Sequence, residues 1–141
     1  MKSLTTKITI ATAFLAAAAG VASAQTMKAE VPFAFHAGNK VMPPGTYIVR
    51  ITGGERGLIA LSNFDARQSA MLAAGPLTDP AKEWRKAGAP VLSFECGANR
   101  CALDEVWMGP AFSAQTIRHP RVTSGEPVAL KLVRLEKVNG E

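Results

Sequence analysis

VPFAFHAGNKVMPPGTYIVRI, residues 31–51, contains two strand-like runs joined by a turn-rich connection. In the first run Val31, Phe33 and Phe35 alternate with small or polar residues, which predicts a strand that buries one face. The second run, 46–52, alternates in the same way and is richer in β-forming residues. Together the two runs predict the hairpin on which a small β-sheet domain is built.

Pro32 restricts where the first strand, predicted over 27–35, can lie. Proline has no N–H group to donate to a neighbouring strand, so it occurs at an edge strand, at a strand start or at a bulge. We therefore predict this strand at the edge of a sheet. Between the two runs, Pro43, Pro44 and Gly45 exclude a helix and indicate a turn.

The N-terminal residues 1–24 have the features of a cleavable signal peptide. Lys2 and Lys7 precede an apolar run of 14 residues, 8–21, and 22–24, Ala-Ser-Ala, is a small-x-small cleavage pattern. The run is shorter than the roughly 20 residues that a membrane-spanning helix needs, so an uncleaved anchor is the less favoured alternative. We predict cleavage before Gln25, export to the periplasm or the extracellular space, and no membrane span after cleavage.

Residues 25–141 have a length that suits a single hydrophobic core. Loss of residues 1–24 lowers the formal charge from +5 to +3, because two lysines leave with them. Acidic and basic residues are mixed along the remaining chain, and this pattern does not predict a nucleic-acid partner.

Alternation and turn residues predict five further strands after the hairpin. They cover residues 58–62, 68–73, 91–96, 101–108 and 128–135. The spacing of the last segment also fits a helix, and strand is the favoured interpretation. With about seven short strands, the domain is predicted to be all-β, a single small β-sandwich or partly open barrel.

The longest predicted connection, 75–90, includes a short helix over 81–87. Asp79 is predicted to cap this helix with Pro80 as its first residue, and Gly88 to end it. Trp84 in the helix either closes the open end of the sheet, which we favour, or belongs to a binding surface.

Cys96 and Cys101 are the two cysteines of the chain, and four residues separate them between two predicted strands. Strands paired in a hairpin bring such residues within disulfide distance, and an exported protein meets an oxidising compartment. The spacing differs from the C-x2-C of redox and metal sites. We predict an intrachain disulfide, with a metal pair or a redox dithiol as the alternatives.

The sequence contains no catalytic, phosphate-binding or metalloprotease motif. Asp104 and Glu105 are neighbours, so in a regular strand they point to opposite faces and do not form a dyad. His36 is predicted as a surface turn residue, and neither it nor His119 has a recognisable partner; a metal site joining both to the thiols would require reduced cysteines. We predict no catalytic residue, no metal and no cofactor.

An aromatic and basic surface is the best candidate for a binding site. Trp84, Arg118 and Arg121 would form it, since they lie in the long irregular connections 75–90 and 117–125. We predict a binding module for an envelope protein or glycan. The alternatives are a structural envelope or filament subunit that assembles through edge strands, and an unrecognised small enzyme.

Five segments carry a family resemblance: 31–35 (VPFAF), 38–40 (GNK), 44–49 (PGTYIV), 91–94 (VLSF) and 105–107 (EVW). In these segments the chain resembles a family of small exported proteins known chiefly from acidobacterial genomes. The resemblance implies an exported all-β domain of unassigned activity and adds no catalytic residue. The two cysteines lie outside the family pattern.

Overall fold

The computed structural model describes residues 25–52, 57–122 and 127–138, so the predicted signal peptide and most of the turn at 53–57 lie outside the described residues. The strands are β1 (Gln25–Val31), β2 (Phe35–Ala37), β3 (Lys40–Met42), β4 (Gly45–Thr52), β5 (Leu58–Asn63), β6 (Gln68–Ala73), β7 (Leu77–Thr78), β8 (Val91–Cys96), β9 (Cys101–Trp107), β10 (Ala114–Thr116), β11 (Ala129–Arg134) and β12 (Glu136–Lys137), and the helix α1 is Lys82–Ala87. Within the described ranges, no helix is long and apolar enough to cross a membrane.

The strands form two sheets that pack over a shared hydrophobic core. The first sheet has the order β12-β1-β4-β5-β6, and the second has the order β11-β8-β9-β10-β7, with β2 and β3 attached beside β9. Core residues come from both sheets, for example Val49 and Leu61 from the first and Leu92 and Leu103 from the second. The predicted all-β sandwich is confirmed. The number of strands is higher than the predicted seven because several strands have only two or three residues, which is too short to show alternation.

Residues 31–51 do not form one simple hairpin but contribute strands to both sheets. β1 pairs with β4 from Gln25↔Ile51 to Val31↔Gly45, but β2 and β3 form a second hairpin between them that joins the other sheet. Pro32 follows β1 directly, because a residue without an N–H group cannot continue the ladder. The predicted single strand over 27–35 is therefore wrong. Its predicted edge position is also wrong, because β1 lies between β12 and β4.

Aromatic side chains hold the segment that crosses between the sheets. The Phe35 ring on β2 packs edge-on against Tyr47 at 5.2 Å and against Phe94 at 5.1 Å between centroids. Phe33 contacts Phe94 in the same way at 5.0 Å. Such pairs stabilise a core beyond the area that they bury. The apolar alternation of this segment thus ties the two sheets together.

β4, β5 and β6 form the predicted meander, and β8 and β9 form the predicted second hairpin. β11 confirms the strand interpretation of 128–135 and pairs with β8. Val133 of β11 packs against the core, but Leu130 and Leu132 do not face it. Leu130 and Leu132 stand opposite Glu95 and Ser93 on the outer face of the second sheet, and they are 63% and 51% exposed.

The helix α1 buries one side chain, Trp84, which is 7% exposed. Trp84 packs with Val91, Trp107 and Ala114 in a second, smaller hydrophobic cluster. Gly88 ends the helix in the left-handed conformation, as predicted. The predicted cap is wrong, because the N-cap residue is Ala81 without a side-chain hydrogen bond, and Asp79 lies too far upstream.

Candidate functional site

A cleft of about 470 Å³ opens between the two sheets, where β6 and β10 end. Its size lies within the range of small-ligand sites in proteins. Among the residues that the structure describes, it is lined by Leu72, Ala73, Ala74, Gly75, Pro76, Ile117 and Arg118. Most of this lining is small and apolar, and Arg118 is its charged member.

Hydrogen bonds between the two connections fix the wall of the cleft. The Gly75 N–H donates to the Thr116 carbonyl at 2.7 Å, and the Thr116 hydroxyl donates to the Pro76 carbonyl at 2.8 Å. A Cβ atom at Gly75 would lie 2.7 Å from the Thr116 hydroxyl oxygen and 2.9 Å from its carbonyl oxygen. Glycine is therefore needed at this position because of the close approach, and the wall of the cleft is preformed.

The structure separates the three residues that the sequence predicts for binding. Arg118 is exposed and lines the cleft. Arg121 is also exposed but lies outside the described lining. Trp84 is buried in the cluster around Trp107, which favours the closing role for its indole. The two predicted connections, 75–90 and 117–125, do meet, although Trp84 is not the residue that they present.

A histidine and two carboxylates that the sequence does not connect meet on the outer face of the second sheet. His119 Nε2 lies 3.0 Å from Asp104 Oδ1 and 3.7 Å from Glu95 Oε2. One ligating atom from each residue lies within 4.8 Å of the other two. The His119 side chain is 9% exposed, so the irregular connection that begins at 117 is partly buried at this residue.

Asp104 follows the core residue Leu103 in β9, so alternation directs its side chain to the outer face, where a β-bulge keeps Glu105 beside it. Ser93 pairs with Glu105 and Phe94 pairs with Leu103, so Asp104 is the extra residue of β9. A bulge re-aims side chains and breaks the strict alternation of a strand. The expected opposite orientation of Asp104 and Glu105 does not hold here. Burial raises the pKa of the Glu105 carboxyl, and the neighbouring charge of Asp104 raises it further.

The segment after β10 is hydrogen-bonded to the backbone of Asp104. The Ile117 N–H donates to the Asp104 carbonyl at 2.8 Å, and His119 follows two residues later. Because of this backbone hydrogen bond, the His119 imidazole lies beside the Asp104 side chain. Asp104 thus holds the segment with its backbone and the ring with its carboxylate.

The hydrogen bonds of the ring determine which nitrogen faces the carboxylates. His119 Nδ1 lies 2.8 Å from the Pro120 carbonyl oxygen, which can only accept, so Nδ1 carries a proton. Nε2 then faces Asp104 and Glu95. Burial lowers the pKa of His119, but the hydrogen bonds to Pro120 and Asp104 and the two carboxylate charges raise it, and the net change is upward.

Cys96 and Cys101 form the predicted disulfide at the end of the β8–β9 hairpin. They stand opposite each other in the ladder, and the Gly97 N–H donates to the Arg100 carbonyl at 2.8 Å across the loop. The bridge fixes the register that places Glu95 opposite Ala102. The cysteine spacing implies this register, so the sequence contains the information that Glu95 and Asp104 lie close together.

His36 lies in β2 and not in a surface turn, because β2 pairs with β3 and touches β9 at Ala102. Among the described residues, the group suited to a metal ion contains neither His36 nor a thiol. The structure therefore does not assemble the site of His36, His119 and the cysteines that the sequence leaves open.

No protein-family model matches the chain, and neither a curated protein nor a solved structure is significantly similar to it. The resemblance to small exported proteins thus stays a prediction. The geometry of the cleft and of the histidine cluster is the basis for assigning a function.

Proposed function

We propose that the protein is an exported binding module of the cell envelope or extracellular space, and that its binding site is the cleft at 72–76 and 117–118. The observation that carries this proposal is that two irregular connections on a rigid β scaffold meet at one preformed cleft with an arginine in its lining. Binding residues are concentrated in such connections.

The lining favours a ligand group with a carboxylate and a short apolar part. The Arg118 guanidinium offers the planar pair of donors that binds carboxylates in a bidentate manner. Ala73, Ala74 and Gly75 leave room beside it for a small apolar group. An envelope protein supplies this chemistry through an acidic side chain or a chain end, and a glycan supplies it through a uronic acid.

Two observations support export. The Cys96–Cys101 disulfide is typical of proteins from oxidising compartments. The sequence of 1–24 has the charge, apolar run and small residues of a signal peptide. Expression in a bacterial host with intact-mass measurement tests this part: we expect a protein that begins at Gln25 outside the cytoplasm. A full-length mass in the membrane fraction would contradict it.

NMR titration tests the cleft. The probes are a short acidic peptide and an oligosaccharide of uronic acids, with their amidated forms as neutral controls. We expect one carboxylate probe to shift the amide signals of 72–76 and 117–118, and the peptide and sugar arms distinguish the two sources. Shifts caused equally by the neutral forms, or shifts confined to other surfaces, would contradict the proposal.

The open edge of β11 favours a second candidate function, assembly with another copy of the chain. β6, the long edge strand of the first sheet, is partly covered because Lys40 Nζ donates to the Ser69 carbonyl at 2.6 Å. Among the described strands, β11 ends the second sheet, and it exposes Leu130 and Leu132 beside its outer edge. Such an edge can pair with a second copy, as the structural-subunit alternative requires.

Sedimentation velocity over a concentration series tests this second candidate. Wild-type protein that self-associates should become monomeric in Leu130→Lys, because a charge on the outer face opposes close pairing. Phe64→Lys is the matched control, since Phe64 is a 72% exposed apolar residue in a turn away from β11. A monomer at all concentrations would contradict assembly through β11.

A further inference from the structure

We propose that Glu95, Asp104 and His119 form a binding site for one divalent transition-metal ion, with zinc as the ion that fits best. The site is separate from the cleft and does not depend on the proposed binding function. It offers one imidazole nitrogen and two carboxylate oxygens, a donor set that suits zinc and its first-row neighbours.

The present distances are close to those that a bound ion needs. Zinc binds nitrogen and oxygen ligands at about 2.0 to 2.2 Å, so two ligands of a tetrahedral site lie roughly 3.4 Å apart. The Nε2–Oδ1 distance of 3.0 Å and the Nε2–Oε2 distance of 3.7 Å bracket that value. The ligating oxygens of Asp104 and Glu95 lie within 4.8 Å of each other, and side-chain rotations that bring them closer complete the set.

The protonation of the ring supplies an independent reason. Because Nδ1 donates to the Pro120 carbonyl, the neutral form of His119 directs the lone pair of Nε2 toward two negatively charged groups. The Asp104 oxygen 3.0 Å from Nε2 can only accept, so a proton or a metal ion must lie between these two atoms. Metal-binding histidines are typically oriented by such a hydrogen bond from the other nitrogen to a backbone carbonyl.

The backbone prepares the three ligands before any ion binds. The disulfide sets the register of β8 and β9, alternation after the core residue Leu103 presents Asp104, and the hydrogen bond from Ile117 to the Asp104 carbonyl places His119. The side chains of Glu95 and Asp104 are 31% and 29% exposed. The remaining coordination position is therefore open to water. Soft ligands play no part, since both thiols are in the disulfide.

Isothermal titration with zinc chloride, without reductant so that the disulfide stays closed, tests the site. We expect about one equivalent of zinc to bind, with calcium and magnesium at least tenfold weaker because imidazole favours transition metals. His119→Gln and Asp104→Asn should each weaken zinc binding at least tenfold. His36→Gln is the matched control, as it removes the other histidine and should leave the affinity unchanged.

Nitrogen NMR of the wild-type imidazoles keeps the proposal testable if a variant fails to fold. We expect zinc to shift the Nε2 signal of His119 and to leave the ring of His36 unchanged. Absence of stoichiometric zinc binding, equal loss of affinity in His36→Gln, or a zinc-induced shift on His36 alone would each overturn the proposal.

Discussion

Asp104 Oδ1 and His119 Nε2 approach to 3.0 Å although 15 positions separate the two residues in the chain. The contact exists because Asp104 follows the core residue Leu103 and therefore points to the outer face, while its carbonyl accepts a hydrogen bond from the Ile117 N–H. A β-bulge lies at the same residue, because Phe94 pairs with Leu103 while Ser93 pairs with Glu105. Bulges are commonly found where a side chain serves a function.

The disulfide should contribute modestly to stability. Replacing Cys96 and Cys101 by serine should lower the free energy of unfolding by about 2 kcal/mol, because the bridge closes a short loop. The domain should stay folded, since the β8–β9 ladder and the core remain. Urea unfolding of both proteins measures the difference. Two free thiols in the native wild-type protein, or complete unfolding of the variant, would contradict this prediction.

Tyr47 should make the protein less stable at alkaline pH. Burial raises the pKa of its hydroxyl above 10.0, although a hydrogen bond with the Asn63 side chain lowers it. The unfolded chain therefore loses this proton first, and the free energy of unfolding falls as the pH rises above about 10. In Tyr47→Phe the alkaline decline should be shallower.

Urea unfolding from neutral pH to about pH 11 measures the alkaline decline in both proteins. Ultraviolet absorbance of tyrosinate reports the ionisation itself, because Tyr47 is the only tyrosine of the chain. Equal declines for wild type and Tyr47→Phe, or tyrosinate formation in the folded protein below pH 10, would be incompatible with a buried hydroxyl.

Trp84 should behave as a core residue. Trp84→Ala should lower the free energy of unfolding by about 3 kcal/mol or more, because it leaves a cavity beside Trp107 and Val91. Phe64→Ala is the control and should change stability by less than about 0.5 kcal/mol, since Phe64 is exposed. Chemical denaturation compares the two variants. A Trp84→Ala protein as stable as wild type would indicate that the indole is free to bind a partner.

The hairpin 91–108 was predictable from the sequence because three local signals agree there. Alternation, a four-residue turn and the cysteine pair all specify the same register. The strand over 27–35 was not predictable, since the alternation continues through Pro32 while the chain passes from one sheet to the other. Alternation shows which residues share a face but not which sheet they join.

The outward orientation of Leu130 and Leu132 has a related cause. Their spacing indicates correctly that they share one face of β11, but the register with β8 decides that this face is the outer one. The approach of His119 to Asp104 depends on the hydrogen bond from the Ile117 N–H to the Asp104 carbonyl, which joins distant segments and which no local pattern predicts. Of the candidate site, the sequence therefore indicates the two connections and Arg118, and it misses the approach of His119 to Glu95 and Asp104.

The most direct test of the cleft compares the affinity of one carboxylate probe for wild type, Arg118→Gln and Arg121→Gln. Both arginines are exposed and lie three residues apart, so the two variants change the net charge equally. We expect Arg118→Gln to weaken binding about tenfold or more, because a charge-assisted hydrogen-bond pair contributes roughly 1.5 to 3 kcal/mol, while Arg121→Gln keeps the wild-type affinity. Equal affinities of all three proteins, or a loss confined to Arg121→Gln, would contradict a binding site in the cleft.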